Sequence, residues 1–255
     1  MKKITLLVFA ICASFTMNAQ TADEILTTYF ENIGGLENLK KIEGVKMTAT
    51  AKGQGMDIPI EIVQLKGAKQ YVKISLQGKE LMQGVFDGET LWSHNFMTMK
   101  AEKSDAEATA NLKLDANDFL DPFIDYKEKG YTVEYLGKET IEGAETFKIK
   151  LTKEPITVDG KKEDSVSFYY FDTENYVPIV VQSEIKSGQA KGMISESKLS
   201  DYQEVDGIYF PFSLTQGLKG KPGGQTMTIT KIELNPTVDD EAFKFPEEVV
   251  TEEKK

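Results

Sequence analysis

The chain has 255 residues and carries 30 basic against 41 acidic side chains, a net charge of −11. Every basic residue is a lysine, which excludes bidentate arginine clamps for phosphate or carboxylate groups. A protein this acidic is repelled by phosphate backbones, so we expect no nucleic-acid partner.

Residues 1–19 have the layout of a cleaved secretory signal. Lys2 and Lys3 form a positive start, residues 4–15 are apolar, and Ala19 is a small residue ahead of the cut. The alternative is a retained membrane anchor, which would need about 20 apolar residues. We therefore expect export to the periplasm, and loss of the two lysines changes the net charge from −11 to −13.

Cys12 lies inside this segment and is the only cysteine. A lipid-attachment cysteine follows a small residue, whereas Ile11 precedes this one, so we expect no lipidation. The mature chain is then free of thiols, which excludes disulfides, cysteine nucleophiles and cysteine-ligated metals.

The mature chain is expected to open with a helical hairpin. Thr21 and Glu24 form a capping box, and Gly34-Gly35 ends the first helix. A second short helix is expected to contain Leu36, Leu39 and Ile42. The first helix carries apolar residues at helical spacing, namely Ile25, Leu26, Tyr29 and Ile33.

From residue 45 onward the apolar pattern alternates with a period of two, which predicts about ten strands. Four Asp-Gly or Glu-Gly dipeptides mark turns between them. Because crossover helices are missing, we expect a mainly β fold: a large curved antiparallel sheet or an unclosed barrel covered by lid helices. The predicted strands cover residues 45–52, 69–77, 81–87, 131–136, 146–152, 166–172, 179–185, 193–202, 208–214 and 226–234.

Residues 104–130 interrupt this pattern. We predict a loop over residues 104–110 and a helix with Asp121 as N-cap, Pro122 at its first position and its end near Gly130. The apolar residues Phe119, Leu120, Phe123 and Ile124 are expected to lie on the sheet. We expect one domain over residues 20–246, followed by a flexible charged tail at 247–255.

Residues for catalysis are sparse. His94 is the only histidine and is expected to be a strand residue with a satisfied hydrogen bond. The pairs Asp239-Asp240 and Glu247-Glu248 fit solvated turns and caps, although a hydrolase with two close carboxylates stays open as a third hypothesis. Residues 217–224 fit a hairpin tip, and residues 159–164 lack calcium-loop spacing. We expect a protein without catalysis, cofactor or metal.

Apolar side chains remain as the candidate functional feature. Tyr169-Tyr170-Phe171 and Tyr209-Phe210 place bulky groups on both faces of their strands. Both faces must then be covered, one by the core and the other by helices or a ligand. The pattern therefore indicates a container for an apolar ligand.

The order of motifs resembles the outer-membrane lipoprotein-sorting family, the LolA/LolB-like proteins. The likeness covers nearly the whole mature chain. It implies an unclosed antiparallel barrel with helices at its mouth, carrying lipoprotein acyl chains across the periplasm. The motifs are residues 22–26 with Gly34-Gly35, Asp87-Gly88 with Leu91-Trp92, residues 119–130, residues 205–211, and residues 232–236 with Phe243 and Pro246.

This resemblance also implies a site. The family holds its lid with an arginine on an early strand, and here Lys46 or Lys52 would take that place. The implied partners are lipoprotein acyl chains or another lipid, an inner-membrane donor and an outer-membrane acceptor, with the protein a monomer. The alternative is an envelope sensor or scaffold that binds a protein. The implied lid residues are Leu26, Tyr29, Phe119, Leu120, Phe123 and Ile124, and the implied wall residues are Met47, Ala49, Trp92, Phe171 and Phe210.

Overall fold

The computed structural model describes residues 20–53 and 55–246. The predicted secretory signal, Cys12, the Glu247-Glu248 pair and the charged tail lie outside the described residues. Among those that are described, no helix is both long and apolar enough to cross a lipid bilayer.

In the described part of the chain, thirteen strands pair into one antiparallel sheet. They are β1 Gly44–Gly53, β2 Met56–Leu65, β3 Gln70–Leu76, β4 Lys79–Phe86, β5 Leu91–His94, β6 Ala101–Lys103, β7 Thr132–Ile141, β8 Ala144–Val158, β9 Lys161–Asp172, β10 Pro178–Glu184, β11 Ile194–Val205, β12 Ile208–Leu218 and β13 Gln225–Leu234. The strands form a single row in which β1 lies beside β13, while β6 and β7 are the two free edges. The predicted mainly β, antiparallel and unclosed fold is confirmed.

All ten predicted strands are present, and three more were missed. β5 and β6 are too short for an alternating pattern to be recognised. β2 contains Pro59, which normally argues against an interior strand. Its pairing with β3 begins only at Ile60, so no partner strand needs the missing N–H of Pro59 on that side.

Both predicted N-terminal helices are present, although the second is shorter than predicted and ends before Ile42. They are α1 (Ala22–Asn32) and α2 (Leu36–Leu39). The Thr21 Oγ1 accepts the Glu24 N–H at 3.2 Å, and Glu24 Oε2 accepts the Thr21 N–H at 2.8 Å. This reciprocal pair is the predicted capping box, and it satisfies two of the unpaired donors at the helix start.

The helix prediction between β6 and β7 was wrong in position. The loop predicted at residues 104–110 is mostly helix α3 (Ala106–Asp115), whose N-cap Asp105 accepts the Ala108 N–H at 2.7 Å. Three alanines in the first five residues favour helix here. The helix predicted after Asp121 is instead a run of turns, because Leu120 and Asp125 have φ of 66° and 52°, outside the right-handed helical region.

We call residues 104–131 the bridging segment. It leaves the sheet at one free edge, β6, and re-enters it at the other, β7. Its helix α3 contacts both β5, near the first edge, and β8, near the second. The bridging segment therefore spans the gap that keeps the sheet unclosed.

The buried side chains form two clusters. The larger, the inner cluster, joins α1 and the bridging segment to one face of the sheet, the inner face. The smaller, the outer cluster, consists of Val63, Tyr71, Val85, Trp92 and Phe243, with the C-terminal turn Asp240–Phe243 packed on it. Side chains alternate along β2, so that Ile60 joins the inner cluster and Val63 the outer one.

Candidate functional site

Ten of the eleven predicted site residues come together in the inner cluster. The Tyr29 ring packs edge-on against Phe171 with centroids 5.2 Å apart, and Phe123 packs against Tyr169 at 4.7 Å. The space between α1 and the sheet is thus filled by the protein's own side chains. The ten residues are Leu26, Tyr29, Met47, Ala49, Phe119, Leu120, Phe123, Ile124, Phe171 and Phe210.

Trp92 is the exception, and its assignment to the same wall is wrong. It lies in the outer cluster, where its indole N–H donates to the Phe243 carbonyl at 3.1 Å. The Phe245 ring packs edge-on against it with centroids 5.8 Å apart. The pairing of Trp92 with Val85 directs both side chains to the outer face.

The aromatic run on β9 places bulky side chains on both faces of the sheet, as predicted. Tyr169 and Phe171 belong to the inner cluster, whereas Tyr170 points the other way and is buried. Its hydroxyl donates to Gln182 at 3.2 Å, and the Lys148 ammonium lies 5.3 Å from its ring centroid. Neighbouring side chains, rather than a helix, cover the outer face here.

A buried hydrogen bond fastens the bridging segment to α1. The Tyr29 hydroxyl donates to Asp121 Oδ2 at 2.6 Å, while Asp121 Oδ1 accepts the Phe123 N–H at 2.8 Å. Burial raises the pKa of the Asp121 carboxyl to about 6, and it raises the pKa of the Tyr29 phenol well above its ordinary value. The sequence signal for this contact is a lone aspartate inside the apolar run Phe119 to Ile124, a pattern that predicts only a helix cap.

Charged contacts at the surface add to this attachment. Asp23 on α1 accepts hydrogen bonds from the Tyr126 hydroxyl and from Lys127 Nζ, the latter at 2.8 Å. The bond from Lys127 is the main cause that lowers the pKa of Asp23. Just beyond α2, Lys40 pairs with Asp125 of the bridging segment at 2.6 Å.

The predicted lysine latch is not formed by Lys46. That side chain pairs with Glu61 at 3.0 Å, in a group that also contains the Tyr71 hydroxyl at 2.9 Å from Glu61. Tyr71 belongs to the outer cluster, so Lys46 points away from α1. Lys52 is exposed at the far end of β1. Contacts made by Asp23, Tyr29 and Lys40 hold the bridging segment instead.

An open cleft, the first cleft, lies between the bridging segment, α2 and the turns that follow β2 and β4. Its volume is about 490 Å³, within the range of small-ligand sites. Of its six large apolar lining residues, three were predicted, and the other three come from α2, its following turn and the end of β4. The six are Leu39, Ile42, Phe86, Phe119, Leu120 and Ile124.

Leu120 stands out among these residues. It has φ of 66°, a left-handed conformation that is costly for a residue other than glycine, asparagine or aspartate. This backbone turn accompanies a partly buried leucine side chain that lines the first cleft. An apolar residue held at a strained position marks the first cleft as a candidate functional site.

A second cleft lies on the inner face beyond α1. Its volume is about 330 Å³, and among its lining residues only Gln216 and Gln225 are polar. Ile60 and Met227 belong both to this lining and to the margin of the inner cluster, so the second cleft continues the apolar inner face. Other apolar lining residues are Ile58, Ile74, Leu76, Phe96 and Leu214.

The histidine His94 and the acidic pair Asp239-Asp240 make structural contacts. His94 Nδ1 accepts the Met82 N–H at 2.9 Å, which confirms the expected satisfied hydrogen bond. Asp239 caps the turn Asp240–Phe243, and Asp240 pairs with Lys69 at 2.7 Å, as expected for solvated caps. Within residues 20–53 and 55–246, no three His, Cys, Asp or Glu side chains are grouped to hold a metal ion.

Comparison with known families gives a match for the second half of the chain. A family model described only as "Uncharacterized protein" matches residues 117–246, about half of the chain. The chain belongs to this family. The match includes most of the bridging segment and all strands from β7 to β13. A search of curated proteins finds no match.

Solved structures place this family member among proteins of LolA-like fold. A DUF1329-family protein from Desulfovibrio piger is 12% identical, with a TM-score of 0.53 over 86% of this chain and 97% of its own. A LolA-superfamily protein from Nitrosomonas europaea is 14% identical, with a TM-score of 0.51 over 89% and 98%. A domain named as a candidate outer-membrane lipoprotein-sorting protein, from Vibrio parahaemolyticus, is 10% identical, with a TM-score of 0.51 over 86% and 94%. At these identities the likeness confirms the predicted LolA-like fold.

Proposed function

We propose that this protein is a periplasmic carrier that binds the hydrocarbon chain of a lipid and delivers it towards the outer membrane. The observation that carries this proposal is the first cleft, an open space of about 490 Å³ with six large apolar lining side chains. The cargo is a lipoprotein acyl chain or another lipid, received from an inner-membrane donor and passed to an outer-membrane acceptor. The LolA-like fold supports this role and gives no support to catalysis.

Binding at this site differs from the enclosed container that the sequence predicted. The residues beneath α1 pack against one another, so the ligand occupies the first cleft beside the bridging segment, with the second cleft as further apolar surface. Each buried methylene contributes about 0.8 kcal/mol, so ten would contribute about 8 kcal/mol before the costs of association. Such a ligand is held and can still pass to a stronger acceptor.

The test is the binding of a fluorescent fatty-acid probe to the wild type and to Leu120→Asn. Asparagine tolerates the left-handed conformation of residue 120, so the change removes apolar surface without adding backbone strain. We expect about a tenfold loss of affinity, equivalent to about 1.4 kcal/mol.

Leu136→Asn is the matched control, because Leu136 is 47% exposed on the edge strand β7. It should leave probe affinity unchanged. A wild-type protein that binds no probe and carries no co-purified lipid by native mass spectrometry would exclude the carrier function. Equal affinities in all three proteins would exclude the first cleft as the site.

The alternative, a sensor or scaffold that binds a protein partner, has one feature in its favour. Phe96 and Met97, in the turn between β5 and β6, are 56% and 94% exposed. Two side chains cover far less than the ~800 Å² that each partner buries in a stable protein complex. The lipid carrier is therefore the better-supported function. If a protein partner co-purified in stoichiometric amount with the wild type but not with Met97→Ser, the sensor or scaffold would be the better-supported function.

A further inference from the structure

The charge around the first cleft is opposite to that of the whole protein. The chain has 41 acidic and 30 basic residues, yet the residues that line this cleft include four lysines and one carboxylate, Asp125. The lysines are Lys40, Lys66, Lys113 and Lys129. A cleft lined by one sign of charge attracts ligands of the opposite sign.

These lysines come from both sides of the opening. Lys40 follows α2 and Lys66 lies in the turn after β2, whereas Lys113 on α3 and Lys129 belong to the bridging segment. The apolar lining made by Phe119, Leu120 and Ile124 belongs to the same cleft. The first cleft therefore combines a hydrocarbon surface with ammonium groups.

Two of these ammonium groups, those of Lys66 and Lys113, are available to a ligand, because Lys40 pairs with Asp125 at 2.6 Å and attaches the bridging segment. Lys66 pairs with Glu43 at 2.7 Å, and both side chains are at least half exposed. Lys129 pairs with Asp118 at 3.3 Å, and both side chains are largely buried, whereas Lys113 forms no ion pair with any described residue. Exposed pairs contribute only about 0–1 kcal/mol, so an anionic ligand replaces Glu43 as the partner of Lys66 at small cost. Lysine also offers three rotatable donors, which suits a carboxylate or phosphate without requiring a fixed geometry.

We propose that the first cleft binds a single-chain amphiphile with an anionic head group, the acyl chain lying on the apolar lining and the head group among the lysines. This inference rests on the proposed function and specifies the chemical class of the cargo. The shared chemistry is a carboxylate or phosphate on one hydrocarbon chain, as in a fatty acid or a lysophosphatidate.

The experiment measures, by displacement of the fluorescent probe, the binding of three ligands with the same acyl chain below their micelle concentrations. The ligands are a fatty acid, a lysophosphatidate and a neutral monoacylglycerol, with inorganic phosphate as the head group alone. We expect at least one anionic amphiphile to bind about fivefold or more tightly than the monoacylglycerol. The preference should fall as salt is raised, because the Debye length shortens from about 10 Å at 0.1 M to about 3 Å at 1 M.

Lys66→Gln and Lys113→Gln should each weaken binding of the anionic amphiphile by about two- to fivefold and leave monoacylglycerol affinity unchanged. Lys52→Gln is the matched control, since it removes the same charge from an exposed position at the far end of β1. It should change neither affinity.

The outcomes separate the two proposals. Equal binding of all three amphiphiles, or equal effects of Lys52→Gln and Lys113→Gln, would overturn the anionic head group and leave the carrier function standing. Inorganic phosphate that binds as tightly as lysophosphatidate would overturn the amphiphile in favour of a free-anion site. Binding of none of the amphiphiles would overturn both proposals.

Discussion

At the scale of single residues, the Tyr29–Asp121 pair is the most consequential contact. The two residues are 92 positions apart and meet in the interior with an O–O distance of 2.6 Å. Burial disfavours the charged carboxylate, and the hydrogen bonds from Tyr29 and the Phe123 N–H only partly offset that cost. Asp121 therefore attaches the bridging segment to α1 and is also a pH-sensitive group.

The raised pKa makes the stability of the wild type pH-dependent in a defined direction. The Asp121 carboxyl ionises near pH 6 in the folded protein and near its ordinary value of 3.8 when unfolded. The folded state binds the proton of Asp121 more tightly than the unfolded state does. The contribution of Asp121 to stability is therefore fully present below about pH 4 and is lost as the pH rises through 6. The full change is about 3 kcal/mol.

Asp121→Asn removes this titration while keeping an oxygen that accepts the Tyr29 hydroxyl. We expect its stability relative to the wild type to increase by up to about 3 kcal/mol between pH 4 and pH 7. Urea unfolding at both pH values gives the comparison. A stability difference between the two proteins that is the same at pH 4 and pH 7 would contradict the assignment.

Tyr29→Phe tests the donor of the same pair. The change leaves the buried Asp121 carboxylate with one fewer hydrogen bond, so we expect a loss of about 1–3 kcal/mol in the free energy of unfolding at pH 7. Tyr209→Phe is the matched control, since Tyr209 is 40% exposed, and should cost less than about 0.5 kcal/mol. Equal losses would show that the Tyr29–Asp121 hydrogen bond contributes no more to the free energy of unfolding than the exposed hydroxyl of Tyr209 does.

At the scale of elements, α1 and α3 are held in different ways. Four residues of α1 are buried, whereas none of α3 is. α3 is attached by polar contacts: the Asn111 side chain donates to the Thr157 carbonyl at 2.6 Å and accepts its N–H at 2.9 Å. Glu107 accepts the N–H groups of Asp159 and Gly160 at 3.0 and 2.9 Å.

An element without buried apolar contacts opens locally at low cost. We therefore expect Asn111→Ala to accelerate amide hydrogen exchange in α3 while changing the free energy of global unfolding by less than about 1 kcal/mol. Hydrogen exchange read by mass spectrometry resolves the two effects. Unchanged exchange in α3, or an equal acceleration in α1, would contradict this difference between the helices.

Phe123 is a core residue and is therefore unsuitable for testing ligand binding by substitution. A helix lying loosely on the sheet would tolerate a charge at this position. Instead Phe123 is 2% exposed and packs against Tyr169 and Phe171. Phe123→Asp is consequently expected to unfold the protein, whereas Leu120 and Ile124 on the first cleft are suitable positions for testing binding.

At the scale of the whole molecule, the bridging segment spans the open side of the sheet. It connects the two free edges and is attached to α1 and to the residue after α2 through three carboxylates, Asp23, Asp121 and Asp125. Two of these attachments are exposed, and exposed ion pairs contribute little to global stability. We therefore expect them to affect local opening of the segment more than global unfolding.

Lys127→Gln should therefore change kinetics more than stability. Removing its 2.8 Å bond to Asp23 is expected to raise both the association and dissociation rates of the fatty-acid probe by about two- to fivefold. Lys150→Gln, which breaks a comparable pair with Glu134 at 2.8 Å on β7 and β8, is the control. Stopped-flow fluorescence measures the rates, and identical rates in both variants would contradict gating by this segment.

The sequence by itself determined the fold class and most of the local structure, apart from the bridging segment and three strands. Alternation of apolar and polar residues predicted ten strands, and the absence of crossover helices predicted antiparallel pairing. The capping box at Thr21 and Glu24 located the start of α1. These features depend on neighbours within a few residues, so the sequence contains the information needed to recognise them.

Only the tertiary structure decided which apolar residues line the first cleft, the proposed ligand site. Trp92 and Phe171 have similar sequence character, yet pairing register places one on the outer face and the other on the inner face. Leu39, Phe86 and Leu120 meet at the first cleft from separate parts of the chain. Such contacts depend on the packing of distant elements, which local periodicity does not encode, and for that reason the site had to be read from the folded molecule.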